Sequence, residues 1–204
     1  MKLFQKYFKK CFQIFALIFF HAILFPNSLF QPPKKGIIMK TVKVQKLTNE
    51  AFRRYGSFAN FINPTTDATG DVNAPIAFFR DMIQTNFGGV APTFSTCRMQ
   101  KRDFVVDAAE FHDFTGELAM PLDGDAICWF APAGASEEVP LDKIEAFYVP
   151  QGTAVFVHPG VWHHAAYAVA DKPLNVLIVL PERTYRNDCV CIEIPQDKQV
   201  KIEL

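Results

Sequence analysis

Gly152-Thr-Ala-Val-Phe-Val-His158-Pro159-Gly160-Val-Trp162-His163-His164 is the stretch that decides the fold. A run of β-branched and aromatic residues enters a Pro-Gly turn and leaves it with two histidines. It reads as a strand, a tight reversal and the start of another strand. Successive strand residues face opposite ways, so at most one of His163 and His164 points inward on a regular strand. A second stretch, Glu110-Phe-His112-Asp-Phe-Thr-Gly-Glu117, has the same character. Residues two apart share a face, which puts Glu110 and His112 together, and the Thr115-Gly116 turn lets Glu117 come back toward the same space.

Outward from these two stretches, short runs of Val, Ile, Phe and Tyr alternate with turn chemistry throughout residues 39–204. Predicted strands cover 41–47, 93–100, 104–106, 109–114, 117–121, 126–131, 144–149, 154–158, 163–169, 175–180 and 190–194. The breaks between them fall at Asp123-Gly124-Asp125, Pro150-Gln-Gly152, Pro159-Gly160 and Asp171-Lys-Pro173. Many short, evenly spaced strands indicate an all-β sandwich or barrel. Helix is scarce. Thr48-Asn-Glu-Ala-Phe-Arg-Arg-Tyr can form one short helix, with Thr48 or Asn49 as N-cap and Gly56 as its stop. Residues 64–75 read as a loop.

Composition sets the outer bounds. The chain has 204 residues, 50% of them apolar and 21 of them Phe, enough to bury a large core, so wholesale disorder is excluded. With 21 basic and 21 acidic residues and no basic stripe in the body, nothing calls for a nucleic-acid partner. Five cysteines do not make a disulfide framework.

The neutral total conceals two parts. Residues 1–38 hold six Lys and no acid, which leaves 15 basic against 21 acidic residues over 39–204. Four lysines precede an apolar run from Cys11 to Phe25, as in a secretory signal or membrane anchor, but no Ala-x-Ala-like cleavage site follows. The run is also short for a membrane span. Phe, Lys, Ile and Leu dominate this segment and are encoded by A/T-rich codons, so an upstream leader read in frame, with Met39 as the start, fits equally. On either reading residues 1–38 are an extension and 39–204 form the single domain. Localisation follows the same fork: cytoplasmic, or exported or membrane-anchored through residues 1–38.

The two quoted stretches resemble the paired motifs of the cupin superfamily, in which two His, a Glu and a final His converge on a metal inside a β-barrel. Glu110 stands in place of the first His, and His112, Glu117 and His163 occupy the other places. The resemblance implies a cupin-type jelly-roll β-barrel with one or two short N-terminal helices. It also implies one divalent metal ion held by Glu110, His112, Glu117 and His163, with no organic cofactor. Two carboxylates and two imidazoles suit Mn, Fe, Ni or Zn and do not choose among them.

The resemblance narrows to the ureidoglycolate lyase family on Leu47-Thr-Asn-Glu-Ala-Phe-Arg-Arg-Tyr-Gly56, Arg98, Glu110-x-His112, Gly116-Glu-Leu-Ala-Met-Pro121, Val161-Trp-His-His164 and Asn187-Asp-Cys189. That family implies a carbon–nitrogen lyase splitting ureidoglycolate, a small hydroxy acid, into glyoxylate and urea. It further implies a homodimer. The elimination needs a base for the hydroxyl proton, an acid for the departing nitrogen and a cation for the carboxylate. His163 or Glu110 is the candidate base. Arg98, ahead of Arg183 and Arg186, is the candidate carboxylate clamp, because a guanidinium fork matches both oxygens. Trp162 and Phe130 are candidates to wall the cavity.

Bland readings stand beside these. Glu110 can be a solvated edge carboxylate and Arg98 an ion-pair partner. Asn187 and Asp188 either reach the site or cap a loop, and Cys189-x-Cys191 lacks zinc-knuckle spacing. The functional rivals are a non-catalytic cupin that binds a small acid or sugar, and a metal cupin of isomerase or dioxygenase type.

Overall fold

The computed structural model describes residues 39–136 and 138–204. The readings placed on residues 1–38 lie outside the described residues. The strands are β1 (Lys40–Lys46), β2 (Gly56–Asn60), β3 (Pro92–Met99), β4 (Val105–Val106), β5 (Ala108–Phe111), β6 (Glu117–Pro121) and β7 (Ala126–Phe130), followed by β8 (Glu145–Val149), β9 (Thr153–Val157), β10 (Tyr167–Ala168), β11 (Leu174–Pro181), β12 (Val190–Glu193) and β13 (Val200–Glu203). Two one-turn helices, α1 (Asn49–Phe52) and α2 (Thr184–Asn187), interrupt them.

The strands form two main sheets, ordered β10-β7-β8-β1-β13-β4 and β2-β9-β6-β11-β3, with β12 and β5 as a separate antiparallel pair. Pairing is antiparallel except where β1 runs parallel to β8 and β13. This is the all-β architecture with few, short helices that the strand pattern predicts.

Alternation along single strands builds two apolar clusters. In β7, Ala126, Cys128 and Phe130 join an inner cluster with Phe52, Tyr55, Phe147, Val155 and Val176, whereas Ile127 and Trp129 join Val106, Phe111, Trp162 and Ile202 on the other face. Trp162 therefore packs in the outer cluster, where its ring meets Phe111 at 4.5 Å, and does not wall the inner space. Phe130 does lie on the inner side, against Phe52 at 5.2 Å.

Most predicted strands appear within a residue or two of their expected limits. The differences have local causes. The expected strand over 163–169 shrinks to Tyr167–Ala168, because Trp162 bridges to Ala131 and His163 bridges to Glu110. The segment thus crosses between two partners instead of running along one, and Arg102 takes the carbonyl of Ala165 at 2.7 Å.

The helix predicted from Thr48 is a single turn, capped by the Thr48 hydroxyl, which accepts from the Ala51 N–H at 3.3 Å. It ends early because Phe52 and Tyr55 are both fully buried and the chain then enters β2. That strand was not anticipated, since Gly and Asn are poor strand formers. Its first residue is glycine for a steric reason: a Cβ on Gly56 would sit 1.7 Å from the carbonyl oxygen of Phe156. Strand β13 and helix α2 were not anticipated either.

Candidate metal centre

The Pro159-Gly160 turn sets the register of the site. Gly160 takes a left-handed backbone (φ 76), and its N–H donates to the carbonyl of His112 at 2.7 Å. The chain leaving the turn is thereby laid antiparallel against β5. Glu110 and His163 exchange both backbone hydrogen bonds, at 2.7 and 2.9 Å. Directly opposed residues of an antiparallel pair place their side chains on the same face, so the Glu110–Glu117 and Gly152–His164 stretches meet here. Glu117 arrives from the start of β6, on the same face as Ala119 of the inner cluster.

Three ligand atoms converge. The Nε2 of His112 lies 3.2 Å from Oε2 of Glu117, and the Nε2 of His163 lies 3.5 Å from the same oxygen. One donor atom from each of the three side chains falls within 4.8 Å of the others, and all three residues are buried. The imidazole rings are 5.4 Å apart.

The far side of each ring is already committed. Nδ1 of His112 donates to the Asp188 carbonyl at 2.6 Å, and Nδ1 of His163 donates to the Val161 carbonyl at 2.8 Å. With Nδ1 so committed, Nε2 of each ring faces Glu117, donating to the carboxylate while the ring is charged and becoming free to ligate an ion once that proton is lost. The Nε2 of His163 is buried with no well-formed hydrogen bond. A cation resolves this arrangement. Donors about 2.1 Å from one ion stand roughly 3.0–3.4 Å apart, close to the spacings found, and a carboxylate with two imidazoles is a common set for a divalent transition metal.

Electrostatics of the metal-free residues point the same way. Burial works against ionised Glu117, but His112 and His163 outweigh it and hold the carboxyl down at about 2. Burial likewise opposes a charged His163, and the carboxylate of Glu117, helped by Glu110 and the Val161 carbonyl, outweighs it and raises the ring to about 9. His112 moves up for the same reasons, with His163 opposing. Below the site, burial and Glu117 push the Cys128 thiol up to about 12, so it stays protonated. His164, the outward neighbour, is lowered by burial, with Arg102 adding to the effect and Glu110 opposing it.

The remaining sequence-predicted residues fall in different places. Glu110 is buried beside His163, but its carboxylate is not one of the three converging groups, and it accepts from Sγ of Cys189 at 3.6 Å. The four-ligand set is thus a three-residue cluster with Glu110 alongside. Arg98 does not reach the site. Cys97 and Met99 join the inner cluster, so strand parity turns Arg98 outward, where it is exposed and acts on Asp123. Arg183 is exposed and paired with Glu182 at 2.9 Å. An open cleft of about 430 Å³, lined by Leu47, Phe58, Thr65, Met82 and Pro150 among others, contains none of these residues.

Two residues gain roles that local sequence could not assign. The Asp188 carbonyl holds His112, while its carboxylate accepts the N–H groups of Asp113 at 2.7 Å and Phe114 at 3.0 Å. Tyr185 of α2 packs its ring against His112 at 6.2 Å and 82°. Replacing Asp188 with alanine keeps the carbonyl but frees the loop that carries His112. Metal affinity is expected to fall about tenfold, the low end for losing a group that orients a ligand. Competition against a chelating dye measures it.

Comparison with known proteins agrees with the motifs. A curated protein of Agrobacterium fabrum (strain C58), described as "Putative ureidoglycolate lyase", is 26% identical over 138 residues, 62% of this chain and 74% of that protein. Among solved structures, one of Bacillus subtilis oxalate decarboxylase, concerned with its Mn(II) centres, matches with a TM-score of 0.36 at 16% identity, and covers 50% of this chain. A variant of the same enzyme gives a TM-score of 0.35 at 16% identity over the same 50%. The chain spans 24% of the length of those structures. The family model for ureidoglycolate lyase matches residues 39–203, nearly all of the described domain, and the chain therefore belongs to the ureidoglycolate lyase family.

Proposed function

We propose that the protein eliminates urea from ureidoglycolate to give glyoxylate, at a centre made by His112, Glu117 and His163. The observation that carries this reading is the convergence of those three buried donors inside the barrel of a member of this family. A divalent cation held there supplies a Lewis acid for the hydroxyl and carboxylate oxygens of the substrate. The chain does the rest. Carbonyls of Asp188 and Val161 keep the two imidazoles oriented with Nε2 inward.

Glu110, buried on the same face as His112, serves as the base. Its carboxylate takes the proton of the substrate α-hydroxyl, the oxygen becomes the carbonyl of glyoxylate, and the carbon–nitrogen bond breaks with its electron pair going to the ureido nitrogen. Glu110 then returns the proton to that nitrogen, and urea leaves. One carboxylate thus acts as base and then acid on a single proton, and atoms and charge balance.

The test is direct. The full chain, loaded separately with Mn, Fe, Ni and Zn, is mixed with racemic ureidoglycolate, and glyoxylate and urea are measured together. Equimolar release above the spontaneous rate, lost on chelation, is expected. No release with any of the four ions overturns the assignment.

A further inference from the structure

The segment between β11 and β12 is fastened at both ends and exposed between them. The Thr184 hydroxyl donates to the Pro181 carbonyl at 2.8 Å, and the Asp188 N–H donates to the Thr184 carbonyl at 2.7 Å. Asp188 is in turn tied to the end of β5 through His112, Asp113 and Phe114. At its start, Arg183 adopts a left-handed backbone (φ 64, ψ 25), a region unfavourable for a residue bearing a Cβ. Such strain persists where the surrounding structure over-determines it, and it gathers around ligand-binding segments.

The strained turn has one visible result: it sets Tyr185 against His112. Tyr185 nevertheless remains 48% exposed. The charged and thiol groups that act on its hydroxyl are Glu117, Glu110, Cys189 and Cys97, all of which belong to the site or its floor. The ring therefore lies beside the centre and is partly open to solvent, and its hydroxyl is close enough to Glu117 and Glu110 to feel both carboxylates. An acid seated at the centre needs a donor. Arg98 faces away, and the guanidinium of Arg102, which acts on Cys97 and His164, is engaged by the carbonyls of Ala165 and Ala166. A carboxylate oxygen left over after seating at the centre would otherwise be desolvated without a partner.

We propose that Tyr185 is a substrate-binding residue, its hydroxyl donating to a carboxylate oxygen of a small 2-hydroxy acid seated at the centre and its ring closing the mouth against water. The inference rests on the lyase reading for the identity of that acid, and on the placement of Tyr185 against His112 for the residue's role.

The experiment uses the metal-loaded full chain and its Tyr185→Phe variant. Glycolate, which carries the same hydroxyl and carboxylate, is titrated calorimetrically into each, and thermal midpoint and metal affinity are measured alongside. The phenylalanine variant is expected to bind glycolate about tenfold more weakly, the worth of one hydrogen bond to a charged group. KM for ureidoglycolate should rise by a similar factor with kcat within about twofold, the pattern for binding lost equally from ground and transition states. Thermal midpoint and metal affinity should not move.

Equal glycolate affinity in the two proteins overturns the proposal, and so does wild-type protein that takes up no glycolate. A loss of glycolate binding accompanied by lower metal affinity or a lower midpoint also overturns it, because Tyr185 would then only support His112. If wild-type protein binds glycolate yet releases no urea, the lyase reading fails alone and the titration still decides Tyr185.

Discussion

Replacement of His163 by alanine is expected to remove bound metal and, with it, turnover. The substitution deletes one of three converging donors and leaves Glu117 and His112 still paired at 3.2 Å. The two that remain hold a divalent ion much more weakly against water. Loss of a group that merely orients a metal ligand costs roughly 10–100-fold in affinity, so loss of the ligand itself should exceed about 100-fold. Activity should fall by at least that factor. The fold should survive, because Glu110 and residue 163 pair through backbone atoms, at 2.7 and 2.9 Å, and those bonds do not depend on the ring. Elemental analysis after gel filtration, with circular dichroism as the control for folding, is the measurement. A variant that retains stoichiometric metal would remove His163 from the centre.

The second large effect is a coupling between metal and proton. In the metal-free chain Glu117 holds a value of about 2, well below its unfolded value of 4.5, and it stabilises the fold above pH 4.5 and loses that contribution as pH falls toward 2. His163, raised to about 9 from 6.5, stabilises the fold below pH 6.5 and loses its contribution as pH climbs toward 9. The metal-free chain should thus be most stable between about pH 4.5 and 6.5, with thermal midpoints falling on either side.

Metal binding has the opposite slope. An ion must displace the proton on His163, so its apparent affinity should rise about tenfold per pH unit for each proton released, up to about pH 9. His112 is raised as well and steepens the slope. Glu117→Ala separates these effects. Without the carboxylate, burial is opposed only by Glu110 and the Val161 carbonyl, and the two rings lose their protons at lower pH. The variant should bind metal far more weakly, with little pH dependence above about 7. A titration of metal affinity from pH 6 to 9 on both proteins tests it, and parallel slopes would contradict the assignment of Glu117 as the counter-charge.

Much of this centre could be read in the chain because its geometry is mostly local. Strand parity places Glu110 with His112, the Thr115-Gly116 turn returns Glu117, and the Pro159-Gly160 turn delivers His163. Parity also explains the error at Arg98. Apolar Cys97 and Met99 on either side of it turn it outward, on a strand at the edge of its sheet. The reach of Glu110 depends on side-chain rotamers, which strand spacing does not specify. The sequence leaves Asp188 open between reaching the site and capping a loop, and it gives no sign of Tyr185, because each meets His112 across more than 70 residues of chain and no short motif encodes such a contact. The Asn187-Asp-Cys189 piece acquires a physical meaning only in three dimensions, where the carbonyl of Asp188 orients an imidazole and Cys189 donates to Glu110.

The bridge between Glu110 and His163 joins positions far apart in the chain, and closing so long a loop is expected to come late in folding. A half-assembled chain consequently offers an ion only the local pair His112 and Glu117, and full uptake becomes a late event that rewards completed closure. By mass action, free ion at a hundred times its dissociation constant would add about 2.7 kcal/mol to the finished form. Cells short of the ion would therefore carry a softer, more readily degraded population of the same polypeptide, and supply of a trace nutrient would set the amount of this protein as well as its activity.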